Sequence, residues 1–306
     1  MHLLLGDPQA PFCLRVRAVL ESRNFATHVM ANPLVHPSRF AWRLDNGQSA
    51  TRLAWDGGPP IRNEDISGVL VTGTAWIDPA GWQPDDLAYV YAETQAALLA
   101  WLWSLDCPVV NRFAAAIWHR PKIPFLFWHR LLRRCGLPTP DTLVTNVARE
   151  ARAFGDRPGQ ENIAGVVYGP LTSDIRYLVS SDQDWNGMAA LQRYAPVCLA
   201  HPHGAVQLVC VVGEQVVWEG EPPPEMTPLE PALRRFAAAA GLTFVEMAFA
   251  PASDGHICVV AVEPHPNFER FGDIAQEQIV EGIVRSITEA PRARKGSVQS
   301  RQSSFA

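Results

Sequence analysis

The chain has 306 residues, is 47% hydrophobic and 19% charged, and carries a formal net charge of −5, which is ordinary globular composition with room for two or three lobes. A weakly acidic balance gives no electrostatic reason to expect a nucleic-acid partner, which needs a basic stripe. No window approaches the ~18–20 apolar residues of a membrane span, and the run Met1-His2-Leu3-Leu4-Leu5-Gly6-Asp7 lacks a positive n-region, so the cytoplasm is the expected compartment.

Along the chain, residues 1–75 read as a small α/β unit. A helix is expected over 10–23 and a buried strand at Gly68-Val69-Leu70-Val71-Thr72-Gly73. Leu98, Leu102 and Leu105 recur at helical spacing and predict a long helix over 85–105, ended by Asp106-Cys107-Pro108. Val109-Val110 is strand-like and leads into Asn111-Arg112. A second helix, 124–134, should stop at Gly136 in a left-handed cap, with Pro138 and Pro140 preventing its continuation.

Thr142–Thr145 reads as a strand, with Asn146 as N-cap of a short helix through Phe154. Strands are expected at 163–168, 177–180, 206–212 and 216–218, then a loop over 219–231, where five prolines occur. A helix over 232–240 capped by Gly241 precedes two strands, 243–249 and 256–263, joined by the turn Ser253-Asp254-Gly255. A last helix covers 274–286. Residues 290–306, rich in Arg, Ser and Gln without hydrophobic period, are expected to be a disordered tail.

The six cysteines (Cys13, Cys107, Cys135, Cys198, Cys210, Cys258) show no CxxC spacing and mostly sit in apolar runs, as buried free thiols do. His201-Pro202-His203 and His265 lie among turn residues and read as structural. The sequence has no Walker loop, GxSxG or HExxH. Its ten tryptophans read as core or as an interface stripe.

Pro108-Val109-Val110-Asn111-Arg112, and then Gly136-Leu137-Pro138-Thr139-Pro140-Asp141-Thr142-Leu143-Val144-Thr145-Asn146, resemble the central lobe of ATP-grasp ligases. The resemblance is to the branch holding ribosomal-protein glutamate ligases and microviridin-type peptide ligases, and it runs over about 60–290. It implies an α/β (α+β) fold with an N-terminal α/β domain, 1–107, before an ATP-grasp-like domain, 108–289, whose two lobes enclose a cleft. It also implies ATP and Mg2+ as cofactors and a peptide, protein or small carboxylate as substrate. A partner enzyme or a homodimer is compatible with it; a nucleic acid or a membrane is not expected.

A ligase of this kind holds a triphosphate with basic side chains and with magnesium on carboxylate oxygens. Where the resemblance places a phosphate-binding lysine, the chain has Gly169. Arg176 is then either a substitute cation or an ordinary surface arginine. Lys122, a few positions early for a second lysine, belongs either to the nucleotide site or to a solvated turn. Leu208 stands at a substrate-binding arginine position, Ala248 at a metal-binding aspartate and Ala261 at a metal-binding glutamate. Glu246 and Glu263 lie two residues from these alanines in compensating directions, so they should face each other on antiparallel strands.

Such a pair repels unless a cation, a proton or a basic group lies between them. It is either a displaced metal site, with Asn267 as third ligand, or a pair of exposed glutamates at a strand end. The catalytic residues stay unassigned. Two functions follow: an ATP-dependent carboxylate–amine or carboxylate–hydroxyl ligase with a rearranged site, or a pseudoenzyme serving as a binding or regulatory subunit.

Overall fold

Leu3, Leu4 and Leu5 are apolar on both sides of the strand, which fits a strand with both faces covered. They belong to β1 (His2–Leu5), fully buried and followed by α1 (Pro11–Ser22) and β2 (Thr27–Met30). The computed structural model describes residues 1–289 other than 35–36, 47, 56–57, 73–79, 113–116, 118–122, 124, 157–165, 170–176, 180, 202–203 and 253–254. The expected tail, 290–306, lies outside these.

Three strands that the sequence reading did not anticipate come next: β3 (Arg39–Asp45), β4 (Gln48–Ala54) and the short β5 (Ile61–Arg62). They form a separate antiparallel sheet whose apolar side chains alternate with polar ones. β6 (Gly68–Val71), α2 (Pro84–Ser104) and β7 (Val109–Val110) complete the first lobe. Its parallel sheet runs β2-β1-β6-β7, so β7 extends it past residue 107. Asp85 and Asp86 in the first turn of α2 meet the positive end of its dipole.

α3 (Phe125–Arg134) ends at Gly136, whose φ of +82° is the left-handed conformation expected there. The middle lobe holds β8 (Thr142–Thr145), α4 (Ala148–Gly155), β9 (Val166–Gly169), β10 (Tyr177–Val179), α5 (Asp182–Gln192) and β11 (Val197–Ala200). The expected N-cap at Asn146 is not formed. The hydroxyl of Thr145 instead accepts the Val147 N–H (2.9 Å) and donates to Glu150 (2.9 Å), and α4 starts two residues after Asn146. α5, also unanticipated, opens on a reciprocal Ser181–Asp184 capping box.

The third lobe has β12 (Gln207–Val212), β13 (Gln215–Trp218), α6 (Glu230–Ala240), β14 (Phe244–Pro251), β15 (Ile257–Glu263) and α7 (Asp273–Thr288). The proline-rich loop is shorter than expected. Pro231 lies in the first turn of α6, where a missing N–H costs nothing, and Thr227–Leu229 forms a 3-10 turn. Gly241 caps α6 at φ +70° as expected.

α7 is the wedge of the molecule. It packs against α1 and β6 of the first lobe and against β12 and β13 of the third. Two glycines allow the approach: a Cβ at Gly68 would lie 2.2 Å from the Ile287 carbonyl, and one at Gly282 would lie 2.9 Å from Val212 Cγ1. Asn111 adds a polar joint. Its buried side chain accepts the N–H groups of Thr243 (2.8 Å) and Phe244 (2.7 Å) and donates to the carbonyls of Phe244 and Pro264. Arg112 next to it donates to the carbonyls of Leu102, Trp103, Leu105 and Cys107, closing the end of α2.

Among the described residues, no helix is long and apolar enough to cross a membrane.

Candidate functional site

The third-lobe sheet runs β13-β12-β14-β15, and its register aligns the chemistry into rows. Leu208 pairs with Ala248, and Ala248 with Ala261. These are the positions at which the resemblance implied an arginine and two acidic metal ligands. They form one continuous row across β12, β14 and β15, and it carries only apolar side chains. Leu208 and Ala248 are buried and Ala261 is exposed at the edge.

In the neighbouring row, Cys210 pairs with Glu246 and Glu246 with Glu263. The two carboxylates therefore oppose each other as their compensating displacements required. They are not an exposed pair. Glu246 is only 2% exposed, under the turn Phe268–Arg270, and Glu263 is half-buried. The third position after Asn267, not singled out from the sequence, supplies the counter-charge: Arg270 Nη1 lies 2.5 Å from Glu246 Oε1. The other oxygen of Glu246 accepts the Asn267 N–H at 2.9 Å. Burial raises the Glu246 pKa above the ordinary carboxylate value, and the Asn267 N–H and the Arg270 charge oppose that rise. The signal for Arg270 was the pair itself, since a buried carboxylate needs a cation close in space, here one 24 residues along the chain.

Glu263 accepts the His265 N–H at 2.9 Å. The Asn267 side chain accepts the Glu269 N–H, capping its own turn. His265 is held toward its neutral form by burial. Among the described residues no three His, Cys, Asp or Glu side chains converge as they would around a metal ion.

The middle-lobe sheet runs β10-β9-β11-β8. One face packs Val197 and Leu199 against Ala151, Phe154 and Met188 of α4 and α5. Cys198 points the other way and pairs with Val144 on one side and Gly169 on the other. Gly169 is thus the register partner of the half-buried Cys198, whose other neighbour, Val144, is exposed. Lys122 and Arg176 both lie outside the described residues.

A cavity of about 740 Å³ opens where β1 and β6 end, between the first lobe and the loop holding Asn267. Gly6, Asp7, Cys13, Thr72, Asn267 and Glu269 line it. Carboxyl ends of parallel strands are where open α/β sheets take ligands. Cys13 contacts the Thr72 hydroxyl at 3.4 Å, and burial raises its thiol pKa, so it is a neutral wall group. The six cysteines are free, although Cys107 and Cys198 are only half-buried.

No family model matches this sequence, and no curated protein matches it. Solved structures do. The macrocyclase MdnC bound with precursor peptide MdnA, from Microcystis aeruginosa MRC, aligns at a TM-score of 0.73 and 14% identity over 94% of this chain and 98% of that one. The ATP-grasp ligase PsnB complexed with minimal precursor, Mg and ADP aligns at 0.68 and 19% identity, over 93% and 97%. The macrocyclase MdnB from the same Microcystis strain aligns at 0.66 and 20% identity, over 94% and 98%. The chain thus has the ATP-grasp fold, over nearly the whole length of these ligases.

Proposed function

We propose that this protein is a pseudoenzyme of the ATP-grasp fold, a cytoplasmic binding or regulatory subunit that engages a peptide or protein without metal-dependent phosphoryl transfer. The observation that carries this reading is the row Leu208–Ala248–Ala261, which presents no charged group across three paired strands. A hard octahedral cation needs oxygen ligands, and the donors one row away fit it poorly. Glu246 is held by Arg270 and the Asn267 N–H, and the Asn267 side chain caps its own turn. The peptide side of the proposal draws on structural neighbours complexed with precursor peptides.

A second reading is favoured by the opposed Glu246–Glu263 register: a ligase using ATP and Mg2+ at a displaced site, with Glu246, Glu263 and Asn267 as ligands and Lys122 and Arg176 on the phosphates. In it the substrate is a peptide, protein or small carboxylate, and either reading accommodates a partner enzyme or a homodimer. Calorimetric titration of ATP with and without magnesium, followed by an assay for ADP, decides between them. The pseudoenzyme reading expects no magnesium-dependent heat and no ADP. ADP formation by the purified chain, abolished by Lys122→Ala or Arg176→Ala, would establish the ligase.

A further inference from the structure

On the β3–β4–β5 sheet the two faces have opposite chemistry. The inner face packs on α2: the Phe40 ring meets Trp101 edge-on at 5.4 Å, and the Trp101 indole donates to the Thr51 hydroxyl at 2.8 Å. The outer face carries Arg39, Ala41 and Arg43 on β3, Ala50, Arg52 and Ala54 on β4, and Arg62 on β5. Register sets each arginine of β3 and β4 opposite an alanine: Arg39 on Ala54, Ala41 on Arg52, Arg43 on Ala50. Arg52 has Arg39 and Arg43 as diagonal neighbours, at about 7–8 Å in such a ladder. On its other side Arg52 directly opposes Arg62.

Like charges directly opposite destabilise a sheet, so folding alone gives no reason for this arrangement. An acidic ligand does, because it converts the repulsion into two charge-assisted contacts. Among the described residues the Arg52 side chain has no hydrogen-bond or ion-pair partner, its ladder contacts being those of the backbone. The Arg43 and Arg62 side chains pair, among the described residues, with exposed carboxylates, Asp45 at 2.9 Å and Glu64 at 3.7 Å, and such surface pairs are weak and exchangeable. The small alanines leave a shallow depression of about 430 Å³ among Ala41, Ala50, Arg43, Arg52 and Arg62. The patch stands against a chain whose net charge is −5.

We propose that this face docks an extended acidic peptide segment of a partner, with carboxylates at alternate positions. Alternate side chains of an extended peptide share one face and repeat at about 7 Å, and the diagonal spacing of the arginines is about the same. Each guanidinium presents a planar fork matched to a carboxylate. Glu64 lines the depression and Asp45 lies beside it, so an occupant must space its negative charges between them, which the separated carboxylates of a peptide do and a continuous phosphate backbone does not. The proposal rests on the peptide-partner reading above but places the contact away from the nucleotide and metal positions.

The test is fluorescence anisotropy, without nucleotide, of a short fluorescein-labelled peptide alternating glutamate and serine. The expected result is salt-sensitive binding that weakens about tenfold or more in Arg52→Glu, the loss of one charge-assisted contact. Arg62→Glu should act alike, and Arg52→Lys, which keeps the charge but loses the planar fork, should weaken binding less than Arg52→Glu; circular dichroism confirms folding of each. The proposal is overturned if charge reversal leaves the peptide bound as before, or if no binding occurs. It is also overturned if single-stranded oligothymidine binds the same arginines more tightly, or if wild type is a dimer that Arg52→Glu dissociates. Peptide binding insensitive to Arg52→Glu would leave the peptide-partner reading standing. ADP formation together with a defective Arg52→Glu variant would reverse the pseudoenzyme reading and leave this surface intact.

Discussion

Arg270 donates from Nη1 to Glu246 Oε1 at 2.5 Å, and so brings a guanidinium to a carboxylate that is almost fully buried. Arg270 itself is half-exposed, so water shares its charge, whereas Glu246 depends on its partners. Arg270→Ala should therefore cost about 1–3 kcal/mol, the penalty of a buried acceptor left short of a donor. Urea denaturation measures it. Adding Glu246→Gln to that variant should recover part of the loss, because the buried charge is then gone.

The same burial sets a pH dependence. The Glu246 pKa is raised in the folded protein, so between the ordinary carboxylate value and the raised one the folded state binds more protons than the unfolded state. Stability from this group is then full at low pH and falls as pH rises through that window, becoming flat above it. Glu246→Gln should remove this slope. The stability difference between wild type and Glu246→Gln, followed from below pH 4.5 upward, should move against wild type. A difference moving the other way would mean that the Arg270 and Asn267 contacts outweigh burial.

Magnesium or manganese should leave the melting temperature of the wild type unchanged, and Glu263→Gln should be neutral or slightly stabilising because it relieves repulsion from Glu246. A metal-dependent rise that Glu263→Gln abolishes would instead establish the displaced site.

At the wedge, Gly68→Ala would push a methyl group into the Ile287 carbonyl, a backbone atom that cannot rotate away. The expected cost is about 1–3 kcal/mol, with α7 displaced from β6. Thermal unfolding and amide exchange at the end of α7 report it.

Much of the fold was legible because the signals were local. Gly136 and Gly241 ended helices, and leucine spacing marked α2. The opposed glutamates were legible because a displacement of two preserves a strand face. The β3–β5 sheet was missed because its alternating arginines and alanines carry little hydrophobic amplitude, and its core side chains are scattered across three short runs. Arg270 was missed for another reason. It is an ordinary exposed arginine in sequence, and only the turn at Phe268–Arg270 folds it back over Glu246.

The apolar row offers a gain-of-function test. Ala248 and Ala261 are directly paired, so Ala248→Asp with Ala261→Glu would place two carboxylates face to face on neighbouring strands. Ala248 is buried, so Ala248→Asp alone should destabilise the protein through an uncompensated buried charge. The double variant should be less stable still without metal, and magnesium should restore stability to it but not to wild type. Adding Gly169→Lys sets a cation on β9 at the position where the resemblance implied one. The triple variant should then bind ATP with magnesium more tightly than wild type in calorimetry. Rescue by metal would show that the scaffold still holds the geometry and that the substituted side chains are what it lacks. A double variant that stays folded yet shows no metal rescue would mean that this row does not point where a nucleotide could be held, and the pseudoenzyme reading would lose the observation that carries it.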